Sequence, residues 1–187
     1  MSDRAPGGGS GFYDDAAAVD DYLAHRHSAV SSPNLVMEEP AFAEEVGDLA
    51  GLRILDLVVS RLALHYVDDL APVFNRVHRA LAPGGRLVFT VAHPVLTAAR
   101  LQPSGPRSSL VVDDYFTPGS RTRQWFGRPV VWRHRTIEDC VAPLLDAGFT
   151  LAGLRECAPV EALFEGDTEE LERRRRVPLF LLLSAVA

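Results

Sequence analysis

The run Leu52-Arg53-Ile54-Leu55-Asp56-Leu57-Val58-Val59-Ser60 contains neither glycine nor proline. Val58 and Val59 are β-branched and suit an extended strand better than a turn. The run therefore predicts a strand over Arg53–Ser60. Its one carboxylate, Asp56, falls between apolar neighbours, where it must find partners or shift its pKa. Arg86–Ala92 is nearly continuously apolar, the pattern of a central strand covered on both faces. Val177–Val186 is more apolar still. It contains Pro178 and is half the length of a membrane span, so it reads as a buried strand.

Helical periodicity separates these runs. Tyr13–Ala24 is weakly helical, and a turn-rich stretch, Ser28–Asn34, follows it. A second helix starts at Glu38 or Pro40 and runs through Val46, with Gly47 as its stop. Asp68 or Asp69 caps a third, with Pro72 in its first turn. Leu70, Val73, Phe74, Val77 and Leu81 give that helix one buried face, and Pro83-Gly84-Gly85 ends it. Thr136 opens another, with Asp139 placed for a capping box. Ile137, Val141, Leu144 and Leu145 form its stripe, and Gly148 ends it. Phe149–Glu156 is a strand. Glu165–Arg176 is a charged helix in which Glu169, Glu170 and Glu172 each precede an arginine by four residues. The arginines at its end suit the helix dipole. From Thr97 to Trp132 periodicity is lost, and a long irregular stretch in a compact domain reads as a lid or binding loop, within which Val130–Arg135 could form a short strand. The alternation of strands and helices predicts an α/β sheet with helices on both faces.

With 187 residues the chain holds one well-buried domain. The expected division is a flexible, glycine-rich tail over 1–11 and a single domain over 12–187, with a lid or substrate loop over 97–135. A net charge of −6 argues against a nucleic-acid partner, which needs a basic field. The tail has no apolar core of the kind a signal peptide needs, so a cytoplasmic protein that does not engage a membrane is expected. Cys140 and Cys157 form no CxxC pair and read as reduced.

Several segments in order resemble the class I S-adenosylmethionine-dependent methyltransferases, in their type-11, small-molecule branch. Leu57–Asp69, containing Ser60-Arg61-Leu62-Ala63-Leu64-His65-Tyr66, resembles that family's fourth strand and following loop. Leu81-Ala82-Pro83-Gly84-Gly85-Arg86-Leu87-Val88-Phe89 resembles its helix-PGG-strand-five signature. His93-Pro94, Asp113-Asp114-Tyr115-Phe116, Trp125-Phe126-Gly127, and His134-Arg135-Thr136 leading to Leu144–Phe149 also fit the branch. The resemblance implies a truncated Rossmann-like methyltransferase sheet, S-adenosylmethionine as cofactor and a small-molecule substrate. It covers nearly the whole chain, with one departure. Leu52–Leu57 resembles strand one, yet no Gly-x-Gly turn follows, and the segment between strands one and four, at least ~45 residues, is absent. The cofactor site is then incomplete, and a sheet of four or five strands is expected. The alternative is a non-catalytic methyltransferase-like binding or partner protein. A homo-oligomer, or pairing with an intact homologue, belongs to either reading.

Within this resemblance Asp56, Ser60, Leu62 and His65 are the candidate cofactor contacts. His65 and His93 fall just past strand ends, where open α/β sheets bind ligands. Either could serve as a general base; the alternative is a packed or capping histidine. Tyr115, Trp125 and His134 are candidate substrate contacts, the alternative being that such residues anchor the loop to the sheet. His65, His93, His134, Asp113 and Asp114 lack any metal-ligand spacing, so no metal site is expected.

Overall fold

A computed structural model describes residues 15–17, 19–20, 23, 33–47, 56–100, 110–125 and 128–187. The expected tail over 1–11, most of the Ser28–Asn34 turn, the Gly51–Leu55 stretch and Phe126-Gly127 lie outside the described residues. A π-turn, Asn34–Glu38, leads into helix α1 (Glu39–Val46). Strand β1 (Leu57–Arg61) is followed by a 3₁₀ turn, Leu64–Tyr66, then helix α2 (Ala71–Ala80) and strand β2 (Arg86–Ala92). A short helix α3 (Pro94–Ala98) precedes the small strands β3 (Ala99–Arg100) and β4 (Val111–Val112). Strands β5 (Gly119–Trp125) and β6 (Arg128–His134) form a hairpin. Helix α4 (Ile137–Asp146), strand β7 (Thr150–Glu156), a 3₁₀ turn Glu161–Phe164, helix α5 (Thr168–Arg175) and strand β8 (Phe180–Val186) complete the order.

The main sheet has four strands in the order β1-β2-β8-β7. β1 and β2 are parallel, while β8 runs antiparallel to both β2 and β7. β1, β2 and β7 therefore point the same way, and their carboxyl ends share one edge. Alternation along the strands feeds two cores. Leu87, Phe89, Val91, Leu181, Leu183 and Ala185 face α2 and α4, meeting Phe74 and Leu144. Val88, Phe180 and Leu182 face α1 and α5, meeting Val36, Met37 and Leu171. β2 and β8 are buried throughout apart from their ends, as their continuous apolar character requires. Arg86 fastens α1 to the sheet by donating to the carbonyls of Glu45 (3.3 Å) and Val46 (2.8 Å) in the helix's last turn.

Four expectations need correction. Asp56 is not mid-strand: it sits in a turn, β1 starts at Leu57, and the Asp56 carbonyl accepts the Arg86 N–H at 2.9 Å. Thr97–Trp132 is not irregular throughout: the short strand read over Val130–Arg135 is β6, and β5, which has no counterpart in the sequence reading, pairs with it. Seven residue pairs, from Gly119 with His134 to Trp125 with Arg128, build the β5–β6 ladder, although polar and charged residues fill most of β5. The helix expected from Glu165 begins at Thr168, because Glu165 and Gly166 are left-handed and Asp167 caps it by accepting the Glu170 N–H at 3.0 Å. The cap of α2 is Leu70, with Asp69 Oδ1 accepting from the Ala71 N–H at 3.0 Å. The Thr136–Asp139 capping box forms as expected, with both reciprocal bonds present.

Candidate active site at the carboxyl edge of the sheet

β1 ends at Arg61, and the chain turns at once. Leu62 adopts φ +50, a left-handed conformation that costs a leucine about 1–2 kcal/mol. Its N–H donates to both the carbonyl (3.0 Å) and the hydroxyl (3.2 Å) of Thr90, and its side chain packs against the α1 core. Those contacts hold the strained residue at the sheet edge. The 3₁₀ turn that follows delivers His65 into the interior, where it is 6% exposed.

His65 continues the β-ladder where β1 has run out. Arg86 N–H bonds to Asp56 and Thr90 accepts from Leu62, so alternate residues of β2 turn their backbone polar groups toward β1. Ala92 is the next in that series, and its N–H donates to His65 Nδ1 at 3.3 Å. An amide N–H can only donate, so Nδ1 supplies its lone pair there and the neutral ring carries its proton on Nε2. Burial, reinforced by the Arg135 charge, pushes the His65 pKa down to about 4 from 6.5. The unfolded chain therefore binds this proton at a higher pH than the folded one. Stability from this group is complete above about pH 6.5 and is lost as pH falls toward 4, a total of up to about 3 kcal/mol. The urea midpoint should fall over that window, and His65→Asn should flatten the fall. An identical pH dependence in both proteins would sink the assignment.

The other two candidate histidines, unlike His65, have a polar neighbour at both nitrogens. His93, 1% exposed, caps α3 by accepting the Val95 N–H at Nδ1 (3.1 Å). Its Nε2 lies within ion-pair distance, 3.0 Å, of Glu156 Oε1 at the end of β7. Burial lowers the His93 pKa and Glu156 opposes that shift. His134, at the end of β6, meets the Tyr115 carbonyl through Nε2 (2.8 Å) and the Thr97 hydroxyl through Nδ1 (2.6 Å). The carbonyl must accept, so Nε2 carries the proton and Thr97 donates to Nδ1. Burial lowers this pKa as well, which keeps the ring neutral.

The hairpin is fastened to α3. The nearly buried Arg123 guanidinium reaches the carbonyls of Leu96 (2.7 Å), Thr97 (3.1 Å) and Ala99 (2.5 Å) at the end of that helix. Trp132 of the hairpin then meets the strand-end loop edge-on. Ring centroids run from Trp125 to Trp132 (5.9 Å), Trp132 to His65 (5.5 Å) and His65 to Tyr66 (4.4 Å). Beside His65 is a narrow cleft with room for about one water (≈ 10 Å³), lined by residues including Pro94, Thr97, Arg133, Arg135 and Cys140. Burial pushes the Cys140 thiol up to about 11 and the Cys157 thiol up to about 12, so neither is a ready nucleophile.

Of the expected site residues, Leu62 and His65 are gathered at this edge, and Ser60 lies on β1 just before it. The hairpin brings Trp125 to the same row through Trp132, and His134 to Tyr115. His93 sits at the end of β2, on the Glu156 side. Asp56 does not join them. It precedes β1, whose five residues put it roughly 17 Å from the carboxyl edge.

A family profile described as "Methyltransferase domain" matches residues 37–89. A crystal structure of an S-adenosylmethionine-dependent methyltransferase from Mesorhizobium loti is 31% identical, covering 91% of this chain and 86% of that one, with a TM-score of 0.61. The chain belongs to the S-adenosylmethionine-dependent methyltransferase family. A Listeria monocytogenes protein assigned to the same family is also 31% identical, with a TM-score of 0.60 over 70% of this chain and 60% of that one. An uncharacterised Haemophilus influenzae protein is 26% identical over 107 residues, 54% of this chain and 42% of its own length. The chain thus spans less than two thirds of the length of two of these relatives, 60% and 42%.

Several residues that shape this methyltransferase edge escape a reading of the sequence. Thr90 sits inside an apolar strand, and nothing in the strand pattern marks its hydroxyl as the acceptor for Leu62. Thr97 and Arg123 pair across a loop in which no periodicity survives. Glu156 ends an alternating strand and reads as a solvent-facing carboxylate. Pro94-x-x-Thr97 is the one local signal: the Thr97 hydroxyl also lies 3.1 Å from the Pro94 carbonyl, as helical i, i+3 spacing allows.

Proposed function

We propose that this chain is a class I methyltransferase that uses S-adenosylmethionine to methylate a small molecule at the carboxyl edge of β1 and β2. The observation that carries this reading is the left-handed Leu62 turn leading directly to a buried, neutral His65 with one N–H left to give. S-adenosylmethionine, when bound, supplies an electrophilic methyl group. The residues present fit one wall of a site for it: the Ser60 hydroxyl, the backbone at Leu62, and a face of the His65 ring. Asp56 has no part in that wall because it lies at the other end of β1. Tyr115, Trp125 and His134 border the substrate side, with the stretch over 97–135 acting as lid or substrate loop of a single domain over 12–187. His93 positions α3 through its bond to Val95. Methyl transfer needs little beyond alignment and exclusion of water, and a row of aromatic rings in edge and tilted contact suits both.

A cytoplasmic location, and a homo-oligomer or pairing with an intact homologue, belong to the same proposal. Among the described residues no helix is long and apolar enough to cross a membrane. The deciding experiment is a calorimetric titration of the purified chain with S-adenosylhomocysteine. Saturable heat is expected. No heat at high protein concentration would overturn the reading and leave the non-catalytic alternative.

A further inference from the structure

The charge and hydrogen-bonding character of the cleft beside His65 limits what can enter it. The His65 Nδ1 lone pair is committed to the Ala92 N–H at 3.3 Å, so the ring offers the cleft a donor and no acceptor. The other groups that face this position are Arg133 from β6, Arg135 from the α4 approach, and Thr97 from α3. The Thr97 hydroxyl is engaged with His134, and Arg135 donates to the carbonyls of Val67 and Asp68 rather than to a carboxylate. Arg133 pairs with Asp68 on the exposed side. The Cys140 thiol, pushed up to about 11, stays neutral. The lining holds two cations and no carboxylate, with Asp68 paired to Arg133 and with Asp69 and Asp139 acting on Arg135 from outside it, and the space suits one oxygen-sized atom beside the apolar lining of Leu64, Leu70 and Val91.

We infer that this cleft is the recognition point for a small carboxylate with an apolar body, one carboxylate oxygen accepting from the His65 Nε2–H. A charge-assisted bond of this kind is stronger than a neutral one, and the Arg135 guanidinium adds attraction without having to leave the Val67 and Asp68 carbonyls. A histidine in this state does not act as a proton acceptor for the bound molecule. The substrate must then arrive with its nucleophilic lone pair already free, as an ionised carboxylate does. The inference rests on the methyltransferase reading for its purpose, but the recognition is tested without cofactor.

The test is a titration of the full, ¹⁵N-histidine-labelled chain with benzoate, followed through the His65 ring nitrogens, with benzylammonium as the control. Expected is a proton on Nε2 of the free protein between pH 5.5 and 8, and a saturable shift of that N–H with benzoate alone. His65→Gln keeps an N–H donor at similar reach and should hold benzoate within about threefold of the parent. His65→Asn keeps the acceptor for Ala92 but loses the donor, and should bind about tenfold more weakly or worse. A proton on Nδ1, a ring that titrates near 6.5, or equal responses to benzoate and benzylammonium would each overturn the inference. If S-adenosylhomocysteine binds while benzoate leaves His65 unmoved, the carboxylate site fails and the methyltransferase reading stands. If benzoate binds at His65 and S-adenosylhomocysteine does not bind, the reverse holds.

Discussion

Arg61→Met is expected to destabilise the fold by about 3–5 kcal/mol, because it strands a carboxylate in the interior. Glu38 is fully buried at the start of α1. It accepts from Arg61 Nε at 3.1 Å, Arg61 Nη2 at 2.5 Å and the Thr90 hydroxyl at 2.7 Å. Arg61 also reaches Glu39 at 3.1 Å and lies over the Phe42 ring at 5.2 Å. Those carboxylates hold the guanidinium well above its ordinary pKa, so it stays charged at any pH of interest. Arg61 is about a third exposed (34%), and water entering beside Glu38 pulls the expected loss toward the lower end of the range. The check is a urea titration of the single variant and of Glu38→Met/Arg61→Met. The double replacement removes the buried charge and should recover most of the loss. A single variant within about 1 kcal/mol of the parent would mean that Glu38 does not depend on Arg61.

Phe89→Ala should cost about as much, roughly 3–5 kcal/mol, through a different mechanism. Phe89 lies at the centre of β2 with no exposed surface, and its ring packs on Phe74 of α2 at a centroid distance of 5.4 Å. β2 is flanked by β1 and β8, so the backbone has little freedom to collapse into the space left behind. Val59→Ala on β1 is the matched control. Its side chain is 50% exposed, and the change should stay within about 0.5 kcal/mol. Equal losses from the two variants would contradict the assignment of the core to the β2–β8 layer.

The sheet was legible from the sequence wherever burial leaves a one-dimensional trace. Leu87 to Val91 and Leu181 to Leu183 could only be interior strands, and the capping residues Thr136 and Asp139 marked the start of a helix without any knowledge of its neighbours. The first strand of the hairpin was hidden for the opposite reason. β5 carries Arg121 and Arg123 on a largely exposed ladder, so no hydrophobic alternation betrays it, and its attachment depends on one guanidinium meeting carbonyls more than twenty residues away. At the site, the positions of His65 and His93 past strand ends were legible, but their chemistry was not. Which nitrogen holds the proton follows from Ala92 and Val95 amides, and those are tertiary facts. Asp56 misled because a carboxylate before Leu57 suits the end of one strand as well as the approach to another.

The placement of β8 has a consequence for assembly. Residues 180–186 form an interior strand, lying between β2 and β7 and bonded to both. β7 therefore has no partner in the sheet until those residues arrive, and the two helical layers share no continuous floor. The sheet is completed from its middle rather than its margin, by the segment of the described chain that a ribosome supplies last. Until then β2 and β7 each present an open edge of unpaired backbone N–H and C=O groups, and the contacts that close them span long stretches of sequence. Such a topology closes slowly and leaves a window for wrong pairing.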